Sequence, residues 1–185
     1  MASAFAHGIV GLAIGYAWSR QPRPWDFWAC SALAAILPDA DVVGFLFGVN
    51  YLDTFGHRGF THSLLFAACF GPFVTAVLYR HAARFSRAFW VLSAHFAVVT
   101  ASHGVLDAMT DGGEGVAFFS PFELGRYFFP WRPLVVSPIG MKFFSRWGVA
   151  VLESELVYAI VPAIVFAGLA HLVVRWATGT RTPPI

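Results

Sequence analysis

The chain has 185 residues, of which 58% are hydrophobic and 12% charged, and its formal net charge is +2. Soluble domains carry about a quarter charged residues, so the composition excludes an ordinary soluble globule and makes a bilayer the natural solvent. The net charge is too small to argue for a nucleic-acid partner.

Five segments, roughly residues 2–19, 26–49, 60–79, 88–111 and 151–175, are apolar enough and long enough to span or nearly span a bilayer. They predict an all-α polytopic bundle forming one membrane-embedded domain over residues 1–178, with residues 179–185 as a tail. No basic residue precedes the first segment, so it is expected to remain in the mature chain. Its Gly8, Gly11 and Gly15 suit close helix packing. In the second segment Pro38 predicts a kink just before Asp39 and Asp41. The third is entered through His57-Arg58-Gly59-Phe60-Thr61-His62-Ser63, where Gly59 is expected to allow the turn. The fourth carries His95, His103 and Asp107. Residues 112–150 hold Pro121, Pro130, Pro133 and Pro138 among many aromatics, which predicts an interfacial loop. Cys30 and Cys69, inside apolar runs and without a CxxC partner, read as small buried hydrophobes.

Basic residues follow segments one, three and five: Arg20 and Arg23, then Arg80, Arg84 and Arg87, then Arg175 and Arg181. The positive-inside rule assigns that side to the cytoplasm and the N-terminus to the outside.

Ionisable side chains inside spans are expensive, on the order of 2.5–3.5 kcal/mol for an Asp at mid-helix. This chain places His7, Asp39, Asp41, His103 and Asp107 within segments and His57 and His62 at the entry to one. Alternating spans bring all seven to one membrane face, opposite the arginine-rich side. His103 and Asp107 are four residues apart and share a helical face. Imidazole with carboxylate suits zinc, manganese or iron rather than calcium. Singly, each has a plainer reading: His7 as a packing residue, Asp39 and Asp41 as helix caps, His103 and Asp107 as a structural pair. Their convergence is what predicts a metal centre. His95, deeper on the same helix, is expected to be structural; His81 and His171 to be solvated or interfacial; Asp53, Asp111 and Glu114 to lie in loops; and Glu153 or Glu155 to support the centre from the fifth segment.

The elements His7 with Gly11, Pro38-Asp39-Ala40-Asp41, His57 to Ser63, Ser102-His103 with Leu106-Asp107, Ser120-Pro121-Phe122 and Arg126-Tyr127-Phe128 together resemble the bacterial membrane-bound metal-dependent hydrolases, among them YdjM-like, LexA-regulated inner-membrane proteins. That group is in turn distantly similar to zinc-dependent phospholipase C and P1 nuclease, although this chain has no matching N-terminal tryptophan ligand. The resemblance implies a multi-pass protein of the bacterial inner membrane with one or two divalent transition-metal ions, zinc first among them, cleaving a phosphoester of a lipid or lipid-linked substrate.

Under that reading His7, Asp39, Asp41, His57, His62, His103 and Asp107 hold metal, Asp39 or Asp41 bridges two ions, and Arg58 meets the phosphate with its planar fork. The alternatives are a metal-ion or proton transporter, whose polar residues should continue to the opposite face, and a membrane protein with a structural metal. The aromatic loop over residues 117–131 is expected to cover the site at headgroup depth.

Overall fold

The computed structural model describes residues 1–19 and 23–178. The expectations for Arg20, Arg181 and the tail 179–185 therefore lie outside the described residues.

The chain forms α1 (Ala4–Trp18), α2 (Trp25–Ile36) running directly into a 3-10 helix (Leu37–Phe47), a 3-10 turn (Phe60–His62), α3 (Leu64–Leu78) and α4 (Arg87–Ala108). After a long loop come a 3-10 turn (Gly140–Phe143) and α5 (Arg146–Glu155), which continues through a π turn (Leu156–Ile160) into α6 (Val161–Thr178). Among the described residues there is no strand, only two isolated bridges inside the loop regions.

Three rods are long and apolar enough to cross a membrane: Trp25–Phe47, Arg87–Ala108 and Arg146–Ala177. At 15 residues each, α1 and α3 rise only about 22 Å, short of a hydrocarbon core of about 30 Å. The third segment starts at Leu64 rather than near 60 because the Ser63 hydroxyl caps it, accepting from the Phe66 N–H. The fifth starts earlier than expected, at Arg146, where Ser145 plays the same part toward Trp147.

Where a kink is expected at Pro38 the helix changes type, from α to 3-10. Pro38 lies in the first turn of the 3-10 helix, but that helix continues α2, so its missing N–H leaves a carbonyl of the preceding turn without its usual helical donor. Eleven residues is long for such a helix.

The small residues of α1 do what their spacing suggests. A Cβ on Gly11 would sit 2.8 Å from the Ser31 carbonyl oxygen of α2, so only glycine lets these backbones approach so closely. Phe27, Ala34, Ala35, Val74, Phe89, Leu92, Phe96 and Val99 form a core between α2, α3 and α4. The outer faces stay apolar and unburied, as in Phe73, Leu172 and Trp176, which is the surface that acyl chains cover. Cys69 belongs there too: it is exposed, and Cys30 is only half-buried, so neither is the fully buried hydrophobe expected. Packing is driven from one side of α3, and its other side is left to lipid.

Candidate metal centre

The C-terminal half of the rod Trp25–Phe47, the turn before α3 and the end of α4 meet at one end of the bundle, together with the start of α1. Asp39, His62, His103 and Asp107 are all buried, and their ligand atoms lie within 4.8 Å of one another. The Nε2 atoms of His62 and His103 are 3.0 Å apart. Asp39 Oδ1 lies 3.6 Å from His62 Nε2 and 3.2 Å from His103 Nε2. Asp107 Oδ2 lies 3.5 Å and 3.9 Å from the same two atoms. Ligand atoms at about 2.0–2.2 Å from one zinc are roughly 3–4 Å from each other, and these five separations fall in that range.

The hydrogen bonding supports the same reading. Both oxygens of buried Asp39 lack a hydrogen-bond partner, as do both ring nitrogens of His7. Buried polar atoms left so are rare and call for an explanation; a cation supplies one. The His103 ring is turned by a 2.6 Å contact between Nδ1 and the Ala35 carbonyl, which takes the Nδ1 proton and leaves Nε2 free to bind. Gly104 lets the turn approach: a Cβ there would be 2.9 Å from the His62 carbonyl oxygen.

His7 lies beside the four-donor set. Its ring stacks on His103 with centroids 3.7 Å apart, and its Nε2 faces the other carboxylate oxygens, Asp107 Oδ1 at 3.4 Å and Asp39 Oδ2 at 3.9 Å. Each of the two aspartates thus shows one oxygen to His62 and His103 and its second oxygen to His7.

The chain matches the YdjM inner membrane protein family over residues 1–179. It is 36% identical over 171 residues to the inner membrane protein YbcI of Escherichia coli (strain K12), a match covering 91% of this chain and 96% of that protein. The chain belongs to the YdjM inner membrane protein family. No solved structure matches it. The three apolar rods and lipid-facing surfaces fit a helical membrane protein, as that family is.

In this member of the YdjM family, the far side of His62 is organised differently. Asp41 Oδ1 is 2.7 Å from His57 Nδ1, and its Oδ2 accepts from Thr61 Oγ1 at 2.7 Å and faces His62 Nδ1 at 3.2 Å. Asp41, His57 and His62 also form a possible ion-holding group. The 2.7 Å contact, however, is hydrogen-bond length and shorter than the spacing of two ligands on one ion. Asp41 and His57 are therefore placed to hold the His62 ring rather than to join the four-donor set. Burial disfavours a charged His62, but Asp107, Asp39 and Asp41 outweigh it and push its pKa up to about 10. An entering cation competes with that proton.

Arg58 is not where the expected phosphate contact needs it. Its side chain is fully buried. Nε donates to Asp107 Oδ2 at 3.0 Å, one terminal nitrogen to the Gly112 carbonyl at 3.0 Å, and the other to Thr110 Oγ1 at 2.9 Å. It neutralises and aims Asp107. The turn expected at Gly59 is made at Arg58, whose φ of 61° is unusual for a residue with a side chain. Gly59 is required for space instead, since a Cβ there would be 2.4 Å from the Thr54 carbonyl oxygen.

Neither glutamate bonds a residue of the four-donor set; Glu155 acts at one remove, on the start of α1. Glu155 is buried and accepts from the Ser3 backbone N–H and from Ser3 Oγ, the latter at 2.6 Å, tying α5 to the start of α1. Glu153 is exposed. His95 is structural as expected, 2.9 Å from Ser31 Oγ and stacked on Phe27. Sequence reasoning passed over Ser3, Thr61, Thr110 and Arg126. Arg126 donates to the His57 and Tyr51 carbonyls at 2.9 and 2.8 Å, so the aromatic loop fastens the histidine turn. Thr61 and Arg126 lay inside the quoted sequence elements; nothing local marks Ser3 or Thr110.

Proposed function

We propose that this chain is a membrane-bound metal-dependent hydrolase acting on a phosphoester of a lipid or lipid-linked substrate, with zinc as the most suitable ion. The reading is carried by one observation: four buried His and Asp donors lie at mutual ligand spacing, with Asp39 lacking any hydrogen-bond partner. An ion held there acidifies water and withdraws charge from a phosphoryl oxygen.

The chain's own groups supply the rest. His62 and His103 offer Nε2, and Asp39 and Asp107 offer one oxygen each. Arg58 and the Ala2 N–H, 2.6 Å from Asp107 Oδ1, fix Asp107. Asp41, His57 and Thr61 fix His62. The second oxygens of Asp39 and Asp107, turned toward His7, favour room for a second ion. Asp39 is the most exposed of the four donors, at 7% against 3% or less, so substrate and water would approach from its side. In the connection between Asp39 and His57, Leu46, Phe47, Leu52 and Phe55 are all more than 60% exposed. They make an apolar lip suited to a substrate presented from the bilayer.

Transport fits less well. Below the centre the gap between α2, α3 and α4 is filled by Ala34, Val74, Phe96 and Val99; among the described residues the polar side chains buried there are the His95–Ser31 pair, Ser93, and Thr75 and Thr100, whose hydroxyls donate to carbonyls of their own helices, and none is a carboxylate. The centre is proposed to face away from the cytoplasm, because the arginines at 80, 84 and 87 lie at the other end. A reporter fused at residue 83 should read cytoplasmic and one at 115 extracytoplasmic.

The deciding experiment purifies the protein, quantifies bound metal, and screens phospholipids and lipid phosphates for hydrolysis in parallel with Asp39→Asn. Metal-dependent turnover lost in the variant supports the reading. Stoichiometric metal with no turnover on any lipid phosphate leaves a structural centre, and no bound metal removes the proposal.

A further inference from the structure

The end of the bundle opposite the metal centre is a second place where charged side chains lie outside any ion pair among the described residues. Two cavities of about 620 and 420 Å³ adjoin there. Both are walled by Arg23, Arg87 and Val91; the larger adds His81, and the smaller adds Trp18 and Val174. Arg23 precedes the spanning rod Trp25–Phe47, and Arg87 begins the spanning helix α4, so both guanidinium groups sit at the level where a span leaves the hydrocarbon.

Neither arginine is committed elsewhere as Arg58 is. Among the described residues no carboxylate forms an ion pair with Arg23 or Arg87; the ion pairs between described residues gather at the metal centre. Arg23 rests its guanidinium 5.2 Å from the centre of the Phe27 ring, and its Nε is buried without a hydrogen-bond partner. Asp26 is the acidic residue nearest in sequence, and its own buried Oδ1 is likewise unpartnered rather than turned onto Arg23. Helix N-termini carry partial positive charge; Asp26 offsets it in the first turn of α2, whereas the first turn of α4 has no acidic residue and adds to the potential.

We propose that this groove binds an anionic phospholipid of the adjacent leaflet, its phosphate between Arg23 and Arg87 and an acyl chain along Val91, Trp18 and Val174. Two guanidinium forks match a phosphodiester in charge and geometry. The apolar walls select a lipid over a free anion, because a soluble phosphate would leave Val91, Trp18 and Val174 facing water or unfilled space. The proposal is independent of what the metal centre does.

The test uses the full chain, purified in detergent and offered equal amounts of phosphatidylglycerol and phosphatidylethanolamine, with bound lipid read by native mass spectrometry. The wild-type chain should retain phosphatidylglycerol preferentially. Arg23→Gln with Arg87→Gln should abolish that preference, whereas Lys142→Gln with Arg146→Gln, which removes equal charge from the other end, should preserve it. Arg87→Lys should retain less than wild type but more than Arg87→Gln, because it keeps charge and loses the fork. If the double arginine variant does not fold, Arg87→Gln alone serves. Equal retention of both lipids by the wild type, or an unchanged preference in Arg87→Gln, overturns the proposal. Inorganic phosphate displacing the lipid at equimolar concentration overturns the assignment to a lipid.

Discussion

The two faces of the His62 ring show how one histidine can serve two different arrangements. On its Nε2 face, His103, Asp39 and Asp107 crowd together, and while Arg58 offsets Asp107, both oxygens of Asp39 are buried without a hydrogen-bond partner, which an ion would satisfy. On its Nδ1 face, Asp41 is satisfied by His57 and Thr61 at 2.7 Å each and needs nothing further. The first face is arranged to hold an ion. The second is arranged to hold the residue that holds it, as carboxylate–histidine pairs do around bound metals.

Substitutions on the two faces should therefore differ in degree. The largest effect is expected on the Nε2 face: His103→Ala or Asp39→Asn should leave most molecules without metal when bound ions are counted by mass spectrometry of the purified protein. Stoichiometric metal in either variant would refute the four-donor assignment.

Arg58→Ala comes next and tests stability as well as metal. Breaking a fully buried ion pair with Asp107 typically costs about 3–5 kcal/mol, so the variant should melt at clearly lower temperature and hold metal weakly. A stable, metal-replete Arg58→Ala with impaired turnover would restore the arginine to a role on the substrate.

Substitution on the Nδ1 face should be milder. Asp41→Asn or His57→Gln is expected to weaken metal affinity roughly 10–100-fold without abolishing binding, measured by competition with a chelator. A complete loss equal to that of His103→Ala would make Asp41 and His57 ligands of a second ion and erase the difference between the faces.

The smallest effect belongs to His95, which lies outside both. His95→Gln should cost about 1 kcal/mol through the bond to Ser31 and leave the metal content unchanged.

Much of this was legible in the residues themselves. Composition demanded a bilayer, and the depth of each ionisable group along alternating spans placed His7, Asp39, His62, His103 and Asp107 at one end, because a buried charge in an apolar helix is too costly to lack a reason. Glycine spacing in α1 marked its close packing on α2. What those patterns left open were matters of direction. Pro38 signalled a disturbance but not that eleven residues would adopt 3-10 geometry, which turns Asp39 to one side of His62 and Asp41 to the other. Arg58, adjacent to two histidines, reads as a phosphate clamp until Asp107, Thr110 and Gly112, about fifty residues away, are seen to consume its donors. Sequence fixes which charges must be buried together, because local apolarity sets their cost. Which nitrogen meets which oxygen depends on contacts between distant segments, and only the tertiary packing of the turn, the 3-10 helix and α4 decides it.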